Sequence, residues 1–210
     1  MEIVSISISA VRSLEHQGRR AQTGICKEPL SGSVYVSVEG IEGDAQADRE
    51  NHGGADKAVY AYAVENYRFW EQALDRELPY GQFGENLAVS GMTDESVHIG
   101  DSFRIGLIEV QVTQPRVPCF KLGMRMQDPG FVRRFHRSGR VGFYLRILKE
   151  GPIQAGDAIE RLQADPGQLS IQDAMLALNK DPRQQEIIAR ALSIPALSQA
   201  WRDSLSEKQR

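Results

Sequence analysis

The stretch VSISISA, residues 4–10, alternates apolar side chains with serine without exception. Successive side chains of a β-strand point to opposite faces, so this alternation predicts a strand with Val4, Ile6 and Ile8 on its core side. Residues 34–38 repeat the pattern, and further strands are predicted over residues 97–105, 108–113 and 141–148. Because few helices separate these strands, we expect a mainly β protein, a barrel or a sandwich, and no βαβ units.

Turns and two short helices complete this first part of the chain. Three Gly-Asp dipeptides beside the strands, at residues 43–44, 100–101 and 156–157, predict tight turns in which glycine adopts a positive φ. Residues 12–32 show no clear period and are expected to be irregular. Apolar residues at helical spacing predict a helix over residues 64–78 and a shorter one that begins at Asp128-Pro129.

The periodicity changes after residue 163. Residues 164–167, ADPG, are typical of a linker, and beyond them apolar residues recur with the 3.6-residue period of helices. Ser170, Asp181-Pro182 and Ser193-Ile194-Pro195 are predicted to open three short helices. We therefore expect a first domain over residues 1–163 and a three-helix domain over residues 168–210. The helices carry no ligand-type side chains, so we expect them to serve stability or partner contact and not cofactor binding.

The composition excludes several classes of protein. The 210 residues are 41% hydrophobic and 25% charged, as in globular proteins and unlike disordered or collagen-like chains. No apolar run approaches the roughly 20 residues of a membrane helix, and the N-terminus does not resemble a secretory signal. Cys26 and Cys119 stand apart and predict no disulfide framework. The expected location is the cytoplasm, with no membrane contact.

Charge is distributed unevenly although the net charge is only −3. Residues 116–149 contain nine Lys or Arg and one acid, whereas residues 65–101 contain eight acids and two arginines. A basic stretch of this kind is either a solvated face or a site for an anion such as phosphate. The sequence leaves both interpretations open.

Polar residues with possible chemistry fall into four blocks. In His52-Gly53-Gly54-Ala55-Asp56-Lys57, the glycines allow backbone N–H groups to approach a ligand and Lys57 supplies a point charge for phosphate. Residues 83–87, FGENL, place an acid and an amide after a glycine. In residues 114–121, QPRVPCFK, Pro115 and Pro118 stiffen the loop around Cys119. The fourth block places Arg140 at the start of a strand.

Cys119 has two interpretations. Its cationic neighbours Arg116 and Lys121 favour the thiolate, which is the form that binds metals or attacks electrophiles. A single buried cysteine is, however, often an inert packing residue. The other common cofactor motifs, including the P-loop, Gly-x-Gly-x-x-Gly, His-Glu-x-x-His and Cys-x-x-Cys, are absent from the sequence.

At these residues the sequence resembles the MOSC family, which is named for the C-terminal domain of molybdenum cofactor sulfurases. Within that family it resembles the small bacterial stand-alone members, which are linked to detoxification of N-hydroxylated bases such as 6-hydroxylaminopurine. The resemblance runs through nearly the whole chain in the expected order and includes the three C-terminal helices. It is carried by residues 27–29, 43–44, 52–59, 84–87, 100–101, 114–122 and 139–142.

The resemblance implies a closed β-barrel with a few peripheral helices that binds a molybdopterin-type cofactor. Cys119 is the implied ligand of molybdenum, a thiophilic metal. Asn86 and His52 are the other implied catalytic residues, with His52 orienting a cofactor group or passing protons. The implied cofactor-binding residues are Lys27, Asp44, Gly53, Gly54, Lys57, Glu85, Arg116, Lys121 and Arg140.

The function that this resemblance implies is a molybdenum-dependent oxidoreductase that reduces N–OH groups of small molecules to N–H. The sequence shows no flavin or haem motif, so electrons are expected from a separate reductase, a flavoprotein, and a homodimer is left open. The alternative is a non-catalytic carrier of the cofactor or of sulfur, although the pyridoxal-phosphate domain that mobilises sulfur in the larger sulfurases is absent. A nucleic-acid-binding protein is disfavoured because the C-terminal helices have no cationic face.

Overall fold

A computed structural model of the protein describes residues 1–47, 53–179 and 181–208. Its strands are β1 (Glu2–Ile8), β2 (Arg12–His16), β3 (Arg19–Thr23), β4 (Glu28–Pro29), β5 (Val34–Ser37), β6 (Gly40–Ile41), β7 (Val59–Ala63), β8 (Leu87–Ser90), β9 (Ser102–Ile105), β10 (Ile108–Pro115), β11 (Phe143–Lys149), β12 (Gly151–Ile153) and β13 (Ile159–Gln163). Eight of them form the largest element, a mixed sheet with the order β13-β9-β10-β11-β7-β8-β1-β4. The predicted strands over residues 108–113 and 141–148 are confirmed as β10 and β11. Of residues 97–105 only the last four form a strand, because Gly100 turns the chain at a φ of 96°.

The two ends of this sheet approach each other without joining in a continuous ladder. Ile3 N donates to Asp157 O at 3.0 Å, Gly156 N donates to Ile3 O at 2.8 Å, and Ile159 N donates to Met1 O at 2.9 Å. An isolated bridge also pairs Glu2 with Ala158. Among the described residues a closed barrel of paired strands is therefore not found, and these few hydrogen bonds connect β1 to the start of β13.

Strand β1 is present, but its faces differ from the prediction. Its pairing with β8 shifts between Ile3 and Ser5. A bulge of this kind inserts an extra residue and breaks the two-residue alternation. Ile3 and Ile6 are buried as a result, Ser5 and Ser7 are buried as well, and Ile8 is only half-buried. The prediction that Val4, Ile6 and Ile8 form one core-facing row was therefore wrong.

The segment expected to be irregular, residues 12–32, contains a regular hairpin. β2 and β3 pair from Arg12↔Thr23 to His16↔Arg19. Most of the side chains of both strands are exposed, so neither carries the apolar alternation that identifies a half-buried strand. Gln17 and Gly18 form its turn, both with positive φ.

The helices of the first part are α1 (Val64–Leu74), α2 (Phe120–Arg125) and α3 (Phe131–Ser138). α1 ends four residues earlier than predicted because Asp75 adopts the left-handed conformation. It connects β7 to β8, which are parallel, so one βαβ unit does occur, contrary to expectation. α3 begins after Asp128 as predicted, and its Phe131 and Phe135 pack against Trp70 of α1.

The C-terminal helices are α4 (Ile171–Ala174), which continues into a 3₁₀ turn over Met175–Leu178, α5 (Gln184–Ser193) and α6 (Gln199–Lys208). Ser170 caps α4 as predicted, since its Oγ accepts from Asp173 N at 3.0 Å. The last helix begins later than predicted, after Ser198, whose Oγ accepts from Trp201 N at 3.2 Å. The division into domains over residues 1–163 and 168–210 stays a prediction. In the part of the chain that the structure describes, no helix combines the length and apolar character needed to cross a bilayer.

Candidate functional site

A cavity lies where the end of β10, the loop after β3 and the start of β7 meet. Its volume is about 90 Å³, and it opens to solvent. Four cationic side chains and one carboxylate line it, so its formal charge is positive. The lining residues are Thr23, Gly24, Ile25, Lys27, Asp44, Ala45, Gln46, Ala47, Lys57, Tyr60, Gly84, Asn86, Arg116, Cys119, Lys121 and Tyr144. The structure thus brings together seven of the predicted site residues from five separate parts of the sequence.

Cys119 lies on the wall of this cavity and is half-buried. It is extended, with φ −117° and ψ 174°, and stands immediately before α2. Its carbonyl oxygen accepts from Leu122 N at 3.0 Å, which fixes the chain that follows the cysteine. Cys26, the second cysteine of the chain, is buried in the core cluster and does not line the cavity.

Arg116 supplies a buried positive charge beside Cys119. Only 6% of the residue is exposed, and its Nη1 has no hydrogen-bond partner among the described residues. Its guanidinium carbon lies 5.0 Å from the centroid of the Tyr60 ring. Burial raises the pKa of Tyr60 and of Tyr144, so both phenols are neutral near pH 7 and do not neutralise the arginine. A buried cation with one unsatisfied nitrogen is costly, and its position on the wall of the cavity favours an anion there.

A buried polar network forms the opposite side of the wall. Lys27 Nζ donates to both oxygens of Asp44, at 2.5 and 2.6 Å. Asn86 Nδ2 donates to Asp44 Oδ2 at 2.9 Å, and Asn86 Oδ1 accepts from Tyr60 N at 3.1 Å. Burial lowers the pKa of Lys27, and the adjacent Asp44 counteracts part of that effect. Asn86 therefore faces the site, but its amide already orients Asp44.

The remaining predicted residues that the structure describes lie outside the cavity. Arg140 donates to Asn66 Oδ1 at 3.2 Å and stacks on Phe69, outside the cavity. Glu85 is fully buried and accepts from Tyr67 Oη and from the backbone of residues 81 and 83. Its side chain points away from the cavity because it anchors the turn that presents Asn86. Gly53 and Gly54 do not line the cavity either, and His52 lies outside the described residues.

Sequence reasoning missed the segment Thr23–Ile25 and the run Ala45–Ala47, which pass close to each other at the wall of the cavity. A Cβ at Gly24 would lie 2.1 Å from Ala45 O, so only glycine permits this close approach. Thr23 ends β3 and Gly24 follows it, and the mostly exposed residues of β3 show no clear period, so neither residue gave a signal in the sequence. Tyr60 and Tyr144 were missed because each stands within an ordinary apolar strand.

The fold and this cavity define a MOSC protein, and the chain belongs to that family. The model of the MOSC domain matches residues 48–160, which include Lys57, Asn86, Arg116, Cys119 and Lys121. The match therefore covers most of the strands that surround the cavity and the loop that carries the cysteine.

Individual relatives extend the similarity over the whole chain. The protein is 42% identical to uncharacterized protein YflK of Bacillus subtilis (strain 168), over 98% of this chain and 93% of YflK. The crystal structure of YiiM from Geobacillus stearothermophilus superposes with a TM-score of 0.84 at 31% identity, covering 100% of this chain and 99% of that one. A protein named reductase from Gibberella moniliformis (strain M3125 / FGSC 7600) is 33% identical over 85% of this chain, which corresponds to only 32% of that protein.

Proposed function

We propose that the protein is a molybdenum-cofactor-dependent reductase that converts N–OH groups of N-hydroxylated nucleobases or related small molecules to N–H. The observation that carries the proposal is the juxtaposition of Cys119 with Arg116, a buried cation whose Nη1 lacks a partner among the described residues. A soft sulfur next to an unsatisfied cation suits a cofactor that combines a thiophilic metal with a phosphate.

The donor set fits such a cofactor. Cys119 would bind the metal, while Arg116, Lys57 and Lys121 would hold the phosphate. The cavity opens to solvent, so a bulky cofactor need not be enclosed completely. When bound, the cofactor supplies the two-electron chemistry that no side chain of this protein can perform.

The proposed reaction consumes protons as well as electrons. Reduction of R–NHOH to R–NH₂ consumes two electrons and two protons and releases the hydroxyl oxygen as water. The protein must therefore hold an exchangeable proton near the substrate, and Lys27 Nζ, on the wall of the cavity and with a pKa lowered by burial, is suited to it. Asp44 and Asn86 keep that nitrogen in place.

Electrons must come from another protein. We propose a separate flavin-containing reductase as the donor. The relative named reductase supports this, because two thirds of that protein lie outside the part similar to this chain and leave room for electron-transfer domains.

The proposal is tested on protein purified from a host that makes molybdopterin. Molybdenum per chain is measured by mass spectrometry, and reduction of 6-hydroxylaminopurine is followed with reduced methyl viologen as the electron donor. Cys119→Ser should lose activity and most of its molybdenum, whereas Cys26→Ser should keep both. Equal loss in both variants, or full activity of Cys119→Ser, would contradict the proposal. Stoichiometric molybdenum without turnover in the wild type would instead indicate a carrier.

A further inference from the structure

Asp56 connects the cavity to the C-terminal helices. Its Oδ1 accepts from Arg146 Nε at 2.9 Å and from Arg146 Nη2 at 2.5 Å. Its Oδ2 accepts from Gln199 N at 3.1 Å, at the first residue of α6. Its backbone oxygen accepts from Thr113 Oγ1 at 2.6 Å. One aspartate thus joins the 3₁₀ turn over Ala55–Lys57, strands β10 and β11, and the start of the last helix.

A second set of hydrogen bonds runs from the same helix start to the end of β10. Ser198 N donates to Thr113 O at 3.2 Å, and Ser198 Oγ donates to Gln114 Oε1 at 2.6 Å. Ser198, Thr113 and Gln114 are almost completely buried. Buried polar groups of this kind need their partners, so removing one of them leaves another unsatisfied. We call the five residues Asp56, Thr113, Gln114, Ser198 and Gln199 the Asp56 clamp.

Both chain segments held by the clamp continue directly into cations of the cavity. Lys57 follows Asp56, and Arg116 follows Gln114 by two residues. The Lys57 amide donates to Gly54 O at 2.9 Å and the Arg116 amide to Gly142 O at 3.0 Å, so both backbones are fixed close to the clamp. The side chains of Lys57 and Arg116 reach the cavity from these two positions.

We infer that the Asp56 clamp positions Lys57 and Arg116 for anion binding, and that the start of α6 is therefore a positioning element of the site. The nature of the anion rests on the proposed function, whereas the positioning does not. The C-terminal helices provide no residue of the cavity lining, which is why the sequence predicted them to be dispensable for cofactor binding. The hydrogen bonds of Ser198 and Gln199 indicate the opposite, because they hold the chain next to Lys57 and Arg116, which are far from the C-terminal helices in the sequence.

The test uses the full-length chain and two variants, Asp56→Asn and Ser198→Ala. Hydrogen–deuterium exchange is followed at the amides of Lys57 and Arg116 at 20 °C, under conditions in which circular dichroism shows each variant folded. Loss of one clamp hydrogen bond should accelerate exchange at both amides about fivefold to tenfold. The dissociation constant for inorganic phosphate, measured by calorimetry, should rise by a similar factor.

Matched controls are Ser193→Ala and Ser206→Ala, because these hydroxyls donate to backbone oxygens within the C-terminal segment, those of Arg190 and Arg202. They should leave exchange at Lys57 and Arg116 at the wild-type rate. Wild-type exchange at both amides in folded Asp56→Asn and Ser198→Ala would overturn the inference. A wild-type protein that binds neither phosphate nor molybdenum would contradict the proposed function instead, while the exchange rates would still decide whether the clamp positions the two cations.

Discussion

Lys27 Nζ lies 2.5 Å from Asp44 Oδ1, and both side chains are buried at the wall of the cavity. The two residues are separated by 17 positions, and the carboxylate also accepts from Ser9 N and from Asn86 Nδ2. Three donors therefore surround one buried carboxylate. Burying such an ion pair costs free energy because both charges lose their hydration. Removing one partner costs more, because the remaining charge stays unpaired in a medium of low polarity.

Lys27→Met should lower the free energy of unfolding by about 3 kcal/mol, as expected when one partner of a buried ion pair is removed. Urea unfolding at pH 7 measures the change. Arg12→Met is the matched control, since Arg12 also pairs with a carboxylate, that of Glu28, but on the exposed surface. The control should unfold like the wild type. Equal stability of Lys27→Met and the wild type would contradict the prediction.

Tyr67→Phe should destabilise the protein more at pH 8 than at pH 4. Burial raises the pKa of Glu85 in the folded protein above the ordinary value of 4.5. The contribution of Glu85 to the free energy of unfolding is therefore fully present below pH 4.5 and is lost as the pH rises through the raised pKa. The Tyr67 hydroxyl donates to Glu85 and opposes this loss by favouring the ionised form. Without it, the cost at pH 8 should be about 2 kcal/mol.

Urea unfolding of wild type and Tyr67→Phe at the two pH values gives the comparison. Tyr35→Phe serves as a control, because the Tyr35 hydroxyl also donates to a glutamate, Glu150, but on the surface. Its effect should be small at both pH values. A cost of Tyr67→Phe that is the same at pH 4 and pH 8 would contradict the prediction.

Arg116→Leu should weaken binding of inorganic phosphate at least about tenfold, since a charge-assisted contact is lost. The same change should leave the melting temperature unchanged or raise it, because it removes a buried charge with an unsatisfied Nη1. Arg140→Leu is the control, with phosphate affinity expected to be that of the wild type because Arg140 lies outside the cavity. Calorimetry and thermal unfolding measure the two effects. A melting temperature that falls sharply in Arg116→Leu would indicate that the arginine is structural.

Gly142→Ala should lower the free energy of unfolding by about 2–4 kcal/mol. Gly142 has a φ of 70°, and a Cβ there would lie 2.5 Å from Ala61 O and 2.8 Å from the rings of Tyr60 and Tyr62. Gly18→Ala isolates the conformational part, because Gly18 has a similar φ of 75° but open space around it. Its cost should be about 1 kcal/mol. Equal costs in urea unfolding would show that the close contacts at Gly142 relax.

Local features were predictable where one short segment determines its own conformation. Ser170 caps its helix because hydroxyl and amide are three residues apart, and Gly43, Gly100 and Gly156 all have the positive φ expected at their turns. β10 was predictable because Ile108, Val110 and Val112 are all buried on one face. The cysteine loop was recognisable from its prolines, its cations and its resemblance to a known family.

The tertiary structure alone decided which of these residues share a site. Arg140 and Arg116 belong to the same basic stretch, yet one stacks on Phe69 and the other faces Cys119. The faces of β1 depended on a bulge in its pairing with β8, which lies more than 80 residues away along the chain. Composition and spacing describe what neighbouring residues can do, whereas pairing register and packing between distant segments determine where each side chain points. For this protein the sequence therefore indicated the family and its candidate residues, and only the folded chain separated the cations of the cavity from those of the surface.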